Sequence, residues 1–195
     1  MNDVGCQRAV KQLIEGYSSV LTSGFTHQGQ VRSIKDIVLS PMTAPRDFYF
    51  VYIGITNATT QSFGGNPGNE GKPHRAGKYQ CEVHIVDVAI PQGSDVEPYE
   101  LMHVDFRELG NRFEAMLTGS YHAGLGTYAS YFESLPICLE DTQTDSKFTL
   151  ERGRGPDRQV VKENLDHTWY DPDNDTYTPL FYSIIRFNLI EGWTV

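Results

Sequence analysis

From Val10 onward the apolar residues recur at Val10, Leu13, Ile14, Tyr17, Val20 and Leu21, the spacing that lays a single stripe along one face of a helix. The pattern predicts an amphipathic helix stopped at Gly24, where a residue without Cβ lets the backbone turn out. After a loop and a moderately apolar stretch at 31–39, residues 48–55 read Phe-Tyr-Phe-Val-Tyr-Ile-Gly-Ile, entered through Pro45. Apolar at both odd and even positions, and rich in aromatic and β-branched residues, they predict a central strand buried on both faces.

The pattern breaks after Ile55. Residues 64–77 hold five glycines, two prolines and the basic groups Lys72, His74 and Arg75, and 56–77 read as a long Gly-rich loop. The next strand, 78–90, alternates at first, with Tyr79, Cys81, Val83 and Ile85 opposed to Lys78, Gln80, Glu82 and His84. Its apolar phase then flips to Val86, Val88 and Ile90, which implies either a bulge or a second half covered on the other face. Met102, Phe106, Leu109, Phe113, Met116 and Leu117 give a second amphipathic helix over about 98–117, closed by Gly119. Residues from about 120 to 146 are irregular, and strands follow at 147–150, 158–162 and 180–190. The order predicts an α+β domain, a mainly antiparallel sheet with two amphipathic helices packed on one face, and one domain over 1–195.

Composition narrows the function. The chain has 195 residues, 16 basic against 25 acidic, and a net charge of −9, which is enough chain for a self-sufficient core. The acidic balance argues against phosphate neutralisation as its main work. Cys6, Cys81 and Cys138 are odd in number and widely spaced, so they predict reduced cysteines rather than a disulfide framework. No apolar run approaches the ~20 residues of a membrane span, and no membrane contact is expected.

Few constellations carry chemistry. Asp171, Asp173 and Asp175 place oxygen ligands at alternate positions, as Ca²⁺ requires. The sixth position of that motif is nevertheless Thr176 and the twelfth Tyr182, so a solvated acidic turn is the plainer reading. Cys81 and His84 have a zinc half-site spacing, yet three residues along a strand send them to opposite faces, leaving Cys81 in the core and His84 exposed. His103, Asp105 and Glu108 read as the polar side of a helix. No nucleophile elbow or phosphate loop is present, and no catalytic residue, metal or cofactor is predicted. Lys72, His74, Arg75 and Lys78 can dock on an acidic partner. Trp169 and Tyr170, in a polar segment between strands, offer an aromatic contact.

The order of elements, helix 7–21, aromatic strand 48–55, Gly-rich hairpin loop, alternating strand 78–88, helix 102–117 and terminal strand 181–190, resembles that of the tail terminator proteins of long-tailed bacteriophages. These tail completion proteins join head to tail. The resemblance covers most of the chain. It implies a structural virion protein, assembled in the host cytoplasm, that forms a hexameric ring on the head-proximal end of the tail tube. The ring would end tube polymerisation and meet the neck or head completion protein, while genomic DNA passes through its lumen without specific binding. It implies no enzyme activity. On this reading the strands at 78–90 and 180–190 offer edges that extend across subunits. The alternatives are another neck, connector or tail tube protein and, from a different class, a Ca²⁺-binding or metal-dependent module using Asp171–Asp175.

Overall fold

The computed structural model describes residues 3–27, 30–31, 33–39, 50–64, 75–88, 96–118, 138–141, 146–150 and 160–192. Helix α1 (Asp3–Leu21) leads to the short pair β1 (Thr26–His27) and β2 (Gln30–Val31), then β3 (Ser33–Val38), β4 (Phe50–Gly64) and β5 (Arg75–Val88). Helix α2 (Val96–Thr118) follows, then β6 (Cys138–Asp141), β7 (Ser146–Leu150), β8 (Val161–Asp171) and β9 (Thr176–Gly192). Among the described residues β3 to β9 form one sheet in the order β3-β4-β5-β9-β7-β6, with β8 also paired to β9. Only β3–β4 is parallel; every other pairing is antiparallel. The fold is α+β, as the alternation and helical stripes predict.

The core lies between one face of the sheet and the two helices. Tyr79, Cys81, Val83 and Ile85 of β5 stand in register with Leu189, Phe187, Ile185 and Ser183 of β9, and all eight are buried. Cys6, Ala9, Val10, Leu13 and Ile14 of α1 and Phe106, Leu109, Phe113 and Met116 of α2 cover them. Helix α2 approaches closely at Gly110, where an added Cβ would lie 3.2 Å from the Lys162 side chain and 3.9 Å from Ser183. The first helix ends where its stripe ends. Gly24 has φ +81, and Arg112 of α2 donates from Nη1 to the carbonyls of Leu21 (2.9 Å) and Ser23 (2.8 Å), satisfying acceptors that a helix terminus leaves open.

Several boundaries differ from the sequence expectation. Residues 56–64 belong to β4 and 75–77 to β5, so the loop expected over 56–77 is strand at both its ends; residues 65–74 lie outside the described residues. Asn57, Thr59 and Thr60 read as loop because, as polar residues, they give no apolar alternation; their strand character comes from pairing with β5. No bulge falls where the apolar phase of β5 flips: the β5–β9 register is unbroken, and the one shift in the β4–β5 register, between Asn57 and Thr59, lies opposite Cys81 and Gln80. The phase flip in β5 instead reflects cover on both faces, since Ile85, Val86 and Asp87 are all buried. Within the span expected to be irregular, 138–141 and 146 are strand; 119–137 and 142–145 lie outside the described residues. Of the strand expected at 158–162, residues 161 and 162 open β8, which runs on to Asp171; Val160 precedes it and 158–159 lie outside the described residues. Trp169 and Tyr170 therefore sit inside a strand rather than between strands.

One correction bears on assembly. Strands β5 and β9, expected to offer edges, are both interior: β5 lies between β4 and β9, and β9 carries β5 on one side and β7 and β8 on the other. Their continuous apolar runs are the signature of central strands. Among the described residues the outer strands are β3, β6 and β8.

Candidate functional site

The sheet face turned away from the helices carries a polar cluster that follows from the pairing. Glu82 stands opposite Arg186, and Val86 opposite Tyr182, so the polar residues alternating with the core positions of β5 and β9 meet on the outer face. Arg186 donates from Nε to Glu82 Oε1 and from Nη1 to Glu163 Oε2, both at 2.8 Å. His84 lies beside this pair. Its Nδ1 is 2.5 Å from the Tyr182 hydroxyl, and its Nε2 is 3.3 Å from both Glu82 Oε2 and Thr56 Oγ1. The network closes when Nε2 carries the proton and donates to Glu82 while Nδ1 accepts from Tyr182. His84, expected to be exposed, thus has a side chain only 17% exposed, because β4 and β9 flank it.

Burial sets the electrostatics. It pushes the His84 imidazole below its ordinary value; Glu82 offsets this only in part and Arg186 adds to it. Burial also raises the Glu82 carboxyl, but Arg186 and His84 together outweigh it and hold the group below its ordinary value. The Tyr182 hydroxyl is raised, by burial and then by Glu82. A histidine whose folded value lies below its unfolded one binds fewer protons when folded, so stability falls as pH drops from about 6.5 through the folded value. The expected result is a thermal midpoint that declines over that window in the wild type and much less in His84→Gln, read by circular dichroism from pH 8 to 5 in ~0.5 steps.

The interface residues predicted from sequence fall into two groups that the fold keeps apart. Lys78 pairs with Ile190 of β9, whereas Trp169 pairs with Thr178 and Tyr170 with Tyr177. At a strand rise of ~3.3 Å per residue, about 40 Å of β9 separates the two groups. Arg75 and Lys78 lie at the start of β5, with their side chains outside the described residues; Lys72 and His74 lie wholly outside them. At the other end the β8–β9 hairpin turns through Pro172, Asp173, Asn174 and Asp175. Asp175 takes φ 51, a left-handed conformation that Asp and Asn adopt more readily than most residues. Tyr170 donates to Asp175 Oδ1 at 2.7 Å and its ring meets Tyr177 at 5.1 Å between centroids. Tyr177 is 74% exposed. Asp173 and Asp175 are exposed turn residues, and Asp171 ends β8 with its side chain outside the described residues. Among the described residues no group of three or more His, Cys, Asp or Glu is placed to hold a metal ion.

Sequence reasoning missed the Arg186 cluster and the exposed apolar residues of β8, Val161 and Leu165. Arg186 did carry a signal, as a lone cation in the apolar run 180–190, since a charge in such a run needs a partner. A groove of ≈ 450 Å³ between α2 and the turn that follows α1 is lined by Phe25 among others, with the Arg112 guanidinium 4.4 Å above that ring. Arg112 is engaged there in capping α1.

The fold and these surfaces define an α+β protein with a two-ended sheet and an aromatic hairpin at one end. No known protein-family model matches the chain, and no curated protein matches it in sequence. No helix among the described residues is long and apolar enough to cross a membrane.

Proposed function

We propose that the protein is a structural subunit of a long-tailed phage tail, a terminator that assembles as a hexameric ring, caps the head-proximal end of the tail tube and joins it to the neck. The reading rests on the resemblance in element order. The observation that carries it furthest is the β8–β9 hairpin, where Tyr170 and Tyr177 are presented to solvent at the far end of β9 from Arg75 and Lys78. Tyrosine gives large contact area at low entropy cost. Two different patches at opposite ends of one molecule favour head-to-tail association, which closes as a ring when the rotation between neighbours permits. In this reading the subunit contributes contacts and a surface, with no catalytic step and no cofactor. It belongs to the virion, assembled in the host cytoplasm, with DNA passing through the lumen.

Light scattering and negative-stain imaging of the purified protein, alone and mixed with preassembled tail tubes, test the proposal. Rings, or caps at one end of each tube, are expected. The double variant Tyr170→Ser/Tyr177→Ser is expected to lose the ring mass while its thermal midpoint stays within a few degrees of wild type. A monomer indifferent to tubes overturns the reading, and open-ended elongation reassigns the chain to the tube itself.

A further inference from the structure

Two cysteines 75 positions apart in the sequence meet in the core. Cys6, near the start of α1, and Cys81, in the middle of β5, are both free and fully buried. Their sulfurs are 3.4 Å apart. That is the contact of two unbonded sulfurs, and a disulfide requires an S–S length of about 2.05 Å. The two thiols come from different elements, so a bond between them would tie the first helix to an interior strand of the sheet.

We propose that Cys6 and Cys81 form a redox-sensitive modification site, a dithiol that a small-molecule disulfide converts into an intramolecular disulfide clamping α1 to β5. The Cys6 thiol loses its proton to water and its thiolate attacks one sulfur of the small disulfide, expelling the first small thiolate, which takes up a proton. Cys81, deprotonated in turn, attacks Cys6 Sγ and expels the second. Two electrons and two protons leave the protein's thiols, and one small disulfide becomes two small thiols. In the closed structure the hydrogen bond with Cys81 and burial both hold the Cys6 thiol well above its ordinary value, so the buried pair is inert. Reaction runs through fraying of the first turns of α1, a helix end where Asp3 and Val4 are exposed and local opening costs least. The dithiol persists in a reducing compartment and closes in an oxidising medium. This site stands independently of the assembly reading.

The test uses the full chain carrying Cys138→Ser, which removes the third thiol. After incubation with oxidised glutathione, the protein is expected to lose two hydrogens in intact mass and to yield a peptide joining Cys6 to Cys81. Its thermal midpoint is expected to rise by roughly 5–10 °C, because the bond closes a long loop in the unfolded chain. Dithiothreitol should reverse all three changes. Adding Cys81→Ser or Cys6→Ser should leave at most one mixed disulfide and no reversible rise. Unchanged mass after warming to just below the midpoint, or a glutathione adduct on Cys6 that Cys81 never displaces, overturns the proposal; neither result requires the serine variants to fold.

Discussion

Replacing Phe187 with alanine is expected to lower the free energy of unfolding by about 3–5 kcal/mol. Phe187 lies on β9 with its side chain in the core, 1% exposed, opposite Cys81 of β5 and within the cluster that α1 and α2 cover. Its loss removes the transfer free energy of an aromatic ring and leaves a cavity that neighbours fixed by sheet pairing cannot fill. Because domains of this size are stable by roughly 5–15 kcal/mol, the change removes a large share of the total. Urea unfolding monitored by circular dichroism should show a lower midpoint with an unchanged slope. Tyr177→Ala on the exposed hairpin, measured alongside, should shift stability by only about 0.5 kcal/mol.

Tyr79→Phe is the second large effect, expected to cost about 1–3 kcal/mol. The Tyr79 hydroxyl donates to the carboxyl of Glu191, and both residues are buried. The phenylalanine ring preserves the edge-to-face contact with Phe148, whose centroid is 5.7 Å away, so the variant isolates the hydroxyl. Its removal leaves a buried acceptor one hydrogen bond short. A double-mutant cycle with Glu191→Leu, which removes the acceptor, separates the pair from the packing. Full additivity of the two single changes would show that the hydrogen bond carries no coupling.

The helices and the core were legible because their signal is local. Periodic positions such as Val10, Leu13 and Ile14, or Phe106, Leu109 and Phe113, need no knowledge of a partner to be assigned to a buried face. Strand β8 was mostly missed because Glu163, Asn164, Asp166 and Thr168 carry no apolar alternation. Its strand character comes from pairing with β9 and from a face left to solvent, neither of which a short window contains. The same holds for the polar cluster: that Glu82 and Arg186 face each other depends on the register of strands about a hundred residues apart. The interface candidates could be named individually, yet only the strand order shows that Lys78 and Tyr170 sit at opposite ends of the sheet.

Strand β9 completes the sheet, giving β5, β7 and β8 their partner along most of its seventeen residues. Tyr79 and Glu191, joined in the finished structure, are 112 positions apart. On a ribosome adding ~5–20 residues per second, β5 waits on the order of ten seconds for that partner to be made. Throughout that interval Cys81, Val83 and Ile85 lie on a strand that β4 can pair on one side only, and its other edge stays open to neighbouring nascent chains. Synthesis thus imposes on this fold a period of exposure that its equilibrium stability does not reveal.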